Sequence, residues 1–183
     1  MSPLYALAAG HRYADAMLEP FASWSEFNVA VAGAGAALGG LLIVALSVNI
    51  KTIAESRGLA ARAGASIAGL ILGVALSCAA LIPGQGTIGY GVQVLIGTAL
   101  CAVVVVRSAE AVQRDAVQTG FRRYTAERVA LFAFPPALYA VAGLVLVLAP
   151  ALPLGLILVA VGTILAIVTT VLFSWVALVE VLR

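Results

Sequence analysis

LGLILVAVGTILAIVTTVLFSWVALVE, residues 154–180, runs without a charged side chain until its final glutamate, Glu180. At 1.5 Å per residue a helix of this length exceeds the ~30 Å hydrocarbon core of a bilayer, so the stretch reads as a membrane span with room to tilt or to protrude. Working back from it, four further apolar runs occupy about residues 29–50, 64–82, 88–106 and 129–149. The chain is 63% apolar and 10% charged over 183 residues, with a mean hydropathy of +1.14. That leaves too little polar surface to cover a water-soluble globule. The expected fold is an all-α integral membrane protein, a bundle of five transmembrane helices. Residues 1–27 form an extracytoplasmic tail, and residues 28–183 form one membrane domain.

The charges between the runs alternate. Lys51, Arg57 and Arg62 fall between the first two runs, Arg107, Arg114, Arg122, Arg123 and Arg128 between the third and fourth, and Arg183 after the last. Residues 83–87 and 150–153 carry no lysine or arginine. Basic residues in short loops stay on the cytoplasmic side, so this pattern predicts the N-terminus outside and the C-terminus in the cytoplasm. The arginines of the third interval form a basic surface facing anionic lipid or a partner, and nucleic-acid binding is not expected of it. The expected location is a bacterial cytoplasmic membrane.

Within the tail, Ala14, Met17, Leu18 and Phe21 recur at helical spacing, with Arg12, Asp15 and Glu19 on the other face. This predicts a short interfacial amphipathic helix, followed by Trp24 and Phe27 as aromatic anchors at the outer edge of the first span. Cys78 and Cys101 fall inside the second and third runs, where a thiol acts as a small apolar group. Pro135 and Pro136 lie inside the fourth run and are expected to kink it.

The first span is dense in small residues, among them Gly33, Gly35, Gly39 and Gly40. Lipid tails supply no hydrophobic drive between helices, so small side chains that let backbones approach are the usual means of association. These four glycines are the expected packing or partner interface, with the partner either another span or another subunit. Ser47, Asn49 and Gln93 are the polar intramembrane candidates, for bonds between helices or for lining a path.

Thr87-Ile88-Gly89-Tyr90-Gly91 resembles the signature of the potassium-channel selectivity filter, whose stacked carbonyls replace the ion's water shell. Its setting differs, because Pro83-Gly84-Gln85-Gly86 follows a full span and leaves no residues for a pore helix. An outer turn and helix start, with Tyr90 at the headgroup level, is the expected structure. Paired carboxylates, histidine clusters and nucleophile motifs do not stand out within the spans, so no cofactor, metal or catalytic role is expected.

Trp24-Ser25-Glu26-Phe27, the run from Gly39-Gly40-Leu41-Leu42 to Ser47-Val48-Asn49, Arg62-Ala63 and Leu81-Ile82-Pro83-Gly84-Gln85 together resemble small multi-pass membrane proteins of high-GC, actinobacterial-type bacteria. Some of those carry the label of modulator of the membrane-anchored FtsH protease. The resemblance spans residues 24–85 and implies attachment to a larger membrane complex. The expected function is a non-catalytic accessory, scaffold or modulator that packs with itself or such a complex. The competing expectation is an oligomeric ion channel or small-solute permease.

Overall fold

A computed structural model describes residues 21–48, 50–55, 57–119 and 125–181, which contain helices and turns and no strand. Six helices follow in order: α1 Ser25–Val48, α2 Ile50–Glu55, α3 Arg57–Ala80, α4 Thr87–Thr119, α5 Thr125–Leu148 and α6 Leu154–Val181. Among the described residues four of them contain segments long and apolar enough to cross a membrane, in α1, α3, α4 and α6, and α5 contributes the shorter apolar stretch Ala133–Leu148. The chain is an α-helical membrane protein.

Local chemistry sets the helix ends. α3 closes with tightened bonds from Leu81 N to Cys78 O and from Ile82 N to Ala79 O, both 3.1 Å. The chain then turns through Gly84 at φ 73°, a left-handed conformation that suits a residue without Cβ. α4 opens as Tyr90 N donates to Gly86 O at 3.0 Å, so the filter-like string is the first turn of a helix, as its setting predicts. α5 continues unbroken through Pro135 and Pro136, both of which are buried.

One boundary differs from expectation. The interval between the first two runs, read as a loop carrying Lys51, Arg57 and Arg62, is largely helical, with Lys51 in α2 and both arginines in α3. Arg62 Nε donates to Gly58 O at 3.3 Å, one turn back, so the helix satisfies its own backbone beyond the apolar run. α4 likewise carries Arg107, Glu110 and Arg114 on a continuous extension past its apolar part, as its amphipathic spacing predicts.

The packing is a closed ring of four helices with a fifth applied to its outside. α3 packs on α4, α4 on α5, α5 on α6, and α6 returns to α3, while α1 leans on α3 and touches α6 lightly. Half of the apolar windows of α3 and α6 are buried, against 17% for α1. The ring interior holds Leu72, Leu76, Tyr90, Val94, Cys101, Tyr139, Ala142, Leu146 and Val159 as one contiguous core. A smaller cluster of Ile53, Ala63 and Phe173 joins α2, α3 and α6 near their other ends.

Candidate functional site

The four glycines of α1 divide into two pairs. A Cβ built on Gly35 would stand 2.5 Å from Val74 Cγ2, and one on Gly39 would stand 3.7 Å from Leu70 Cδ2. Gly35 and Gly39 therefore form the seam between α1 and α3, an intrachain contact that the small-residue pattern alone leaves unassigned. A Cβ on Gly33 or Gly40 would meet nothing within 4 Å. With Ala30, Ala34, Ala37 and Val44, those two residues belong to an exposed surface of α1.

The polar candidates do not converge. Ser47 is exposed and donates to Ile43 O at 2.7 Å, within its own helix. Gln93 is exposed near the start of α4 and accepts a bond from Gln85 Nε2 at 2.9 Å, which ties that turn together. Asn49 lies outside the described residues. Of the basic residues, Arg107 and Arg114 are exposed, and Arg114 pairs with Glu110 at 3.7 Å along α4. Arg122 and Arg123 lie outside the described residues, as do the side chain of Arg128 and all of the predicted helix of residues 11–21 except Phe21. Cys101 is buried, whereas Cys78, expected to pack, is exposed.

The tyrosines carry the interior. Tyr90, expected at the headgroup level, is 1% exposed, and its Oη donates to Leu76 O at 3.2 Å. Tyr139 is fully buried; its Oη donates to Thr163 Oγ1 at 2.9 Å, and Thr163 in turn donates to Val159 O at 2.9 Å. A buried hydroxyl without a partner is costly, and both rings have one. Glycines make room for Tyr139. A Cβ on Gly162 would lie 3.1 Å from Tyr139 Cε1, and one on Gly73 would lie 3.0 Å from Tyr139 Oη. The α4–α5 crossing is tighter still, since Cβ atoms on Gly91 and Gly143 would each come within 3.2 Å of the other residue's carbonyl oxygen. Tyrosine and glycine at matching depths in neighbouring runs were the available signal for this layer.

The aromatic anchors also turn inward. Phe21 meets Tyr90 edge to face with centroids 5.5 Å apart, and Trp24 meets Phe27 the same way at 5.6 Å. Phe21 and Trp24 both pack against the ring core, so the segment before α1 is fastened to protein. Between them and the ring lies a crevice lined by Trp24, Phe27 and Asn28 of the α1 end, Ala80 of α3, Tyr90 of α4, and Leu156, Val159, Ala160 and Thr163 of α6. It has room for roughly one water molecule.

Among the described residues no three histidine, cysteine, aspartate or glutamate side chains come together as a metal site would require. No protein-family model matches the chain, and no curated protein or solved structure matches it.

Proposed function

We propose that the protein is a non-catalytic component of a bacterial cytoplasmic membrane that associates, through α1, with itself or with a larger membrane complex. In this reading it crosses the bilayer five times, with the N-terminus outside and the C-terminus inside. α5 is 24 residues long, about 36 Å as a helix, which suffices for a fifth crossing. The charge alternation supports the orientation, and Arg107 and Arg114 would lie at the cytoplasmic, anionic lipid surface.

The observation that carries the association is the division of the α1 glycines. Gly35 and Gly39 are consumed by α3, while Gly33 and Gly40 lie on an exposed surface with Ala30, Ala34, Ala37 and Val44. Such a surface lets a second helix approach closely enough for dispersion contacts to accumulate in lipid. The resemblance over residues 24–85 is in keeping with a larger complex as partner. The filling of the ring by Tyr90, Val94, Tyr139 and Leu146 supports an accessory over a conduit through a single copy.

The test is a pair of leucine substitutions, Gly33→Leu and Gly40→Leu, which have open space around them and leave the monomer intact. The mass of the complex extracted in mild detergent falls to that of the monomer. An unchanged mass, with the variant still folded, removes α1 as the association surface.

A further inference from the structure

Gly73, Tyr139 and Thr163 form a closed layer between α3, α5 and α6. A Cβ on Gly73 would lie 3.0 Å from Tyr139 Oη and 3.1 Å from Thr163 Cγ2, and the tyrosine hydroxyl donates to Thr163 Oγ1. Seven residues from these three, back along α3 and α5 and forward along the antiparallel α6, stand Ser66, Phe132 and Thr170. Seven residues are two helical turns, so the three share a face with the first layer and meet at one level. Thr170 Oγ1 accordingly reaches Ser66 O across the seam at 3.3 Å.

This second layer is not closed. Thr98, Thr163, Thr169 and Thr170 each donate one turn back to a carbonyl of their own helix. Ser66 is 3% exposed, yet its Oγ has no hydrogen-bond partner among the described residues. On α5 the carbonyl of Phe132 has lost its donor, because the residue four positions on is Pro136, which has no N–H. The tighter bond to the third position is barred as well, by Pro135. A helical carbonyl points along the axis toward the residue whose N–H it would take, and Pro136 is buried, so this oxygen lies on the protein side of α5. Gly69 lies between Ser66 and Gly73 along α3, and a Cβ there would meet nothing within 4 Å, so that side of the layer is not closely filled.

We propose that the layer is a binding site for a water molecule, held between Ser66 Oγ, Thr170 Oγ1 and the carbonyl of Phe132. The hydroxyl of Ser66 needs an acceptor and the Phe132 carbonyl needs a donor, and water supplies both. A metal ion would take lone pairs and leave the serine hydrogen unplaced. Ser66, Phe132 and Thr170 carry no charge to offset a buried cation. The water ties α3, α5 and α6 together where the proline pair has removed the backbone bonds of α5.

Unfolding of the full chain in dodecyl sulfate mixed micelles tests the proposal through Ser66→Ala, because a dry and a hydrated layer respond with opposite sign. In a dry layer alanine removes an unpartnered hydroxyl and is the better helix former, so the midpoint rises. In a hydrated layer it removes an anchor and leaves the water and the Phe132 carbonyl short of a bond, so the midpoint falls. Made in Pro136→Ala, where position 136 regains an N–H for that carbonyl, the same substitution lowers the midpoint by less. A midpoint that rises or stays with Ser66→Ala, or falls equally in both backgrounds, overturns the proposal. Diffraction from crystals of the unsubstituted chain grown with rubidium chloride identifies the guest. Water gives a peak within about 3.2 Å of Ser66 Oγ and Phe132 O with no anomalous signal. A rubidium signal at that position, or no peak, overturns the proposal whatever the variants do.

Discussion

The glycine crossing of α4 and α5 yields a graded prediction. A Cβ at position 91 would stand 2.8 Å from Leu146 Cβ, 2.9 Å from Val147 Cγ2 and 3.2 Å from Gly143 O. A Cβ at position 143 would stand 2.8 Å from Leu95 Cγ, 2.9 Å from Leu95 Cδ2 and again 3.2 Å from a carbonyl, that of Gly91. Carbon pairs settle at about 3.5–4.0 Å, so either substitution must open the crossing locally by about 0.7 Å or displace its neighbour. Leu95 can turn its branched end away, whereas Leu146 Cβ is fixed to the backbone and can move only with the helix. Overpacking of this kind costs about 1–3 kcal/mol, and the gain in helix propensity on replacing glycine returns at most about 1 kcal/mol. Gly91→Ala should therefore destabilise by about 2 kcal/mol and Gly143→Ala by about 1 kcal/mol, while Gly33→Ala, with open space around it, should be neutral or slightly stabilising. The double variant should cost less than the sum by at least about 0.5 kcal/mol, because a crossing already opened admits the second methyl. Reversible unfolding in dodecyl sulfate mixed micelles measures all four. Equal stabilities for the variants at positions 33, 91 and 143 would refute the crossing as a tight point of the ring.

Three further predictions rest on other contacts. Tyr139→Phe removes the bond to Thr163 Oγ1 while Thr163 keeps its own to Val159 O, so the loss should be about 0.5–1.5 kcal/mol in the same titration; a loss above about 3 kcal/mol would mean that the hydroxyl does more than this pair. In detergent a maleimide should modify Cys78 well before Cys101, read by mass spectrometry of the two peptides, and equal rates would contradict the burial of Cys101 in the ring. Glu110→Gln breaks an ion pair whose partners are 58% and 80% exposed, so the stability change should stay within about 0.5 kcal/mol; a larger one would place that stretch of α4 against something other than water.

The length and apolarity of the helices were legible because lipid demands an unbroken apolar run. α6 begins at Leu154, directly after Pro153, as the quoted stretch implies. The start of α3 at Arg57, seven residues ahead of its apolar run, was not legible, since a helix that continues into water carries the same charged residues as a loop. Gly35 and Gly39 were recognisable as a close contact, yet a pattern of small residues is the same whether the opposing helix is α3 or another chain. The burial of Tyr90 was not legible for a related reason. Its position three residues into α4 fixes its depth, but whether it faces lipid or the ring depends on the neighbouring Gly91–Gly143 crossing, which joins two separate runs. Asn28 offered no signal at all, because its setting is built from α3, α4 and α6 together.

That α1 lies outside the ring bears on how the protein is made. The ribosome delivers α1 ahead of α3, yet its seat on Leu70 and Val74 belongs to α3, and the far wall of its crevice belongs to α6, made later again. Until α3 is made, this helix rests in the membrane with Gly35 and Gly39 against lipid or against whatever helix the insertion machinery holds beside it. Its docking on α3 can then precede closure of the ring, and a chain cut short before α6 would leave Asn28 without the α6 wall of its crevice.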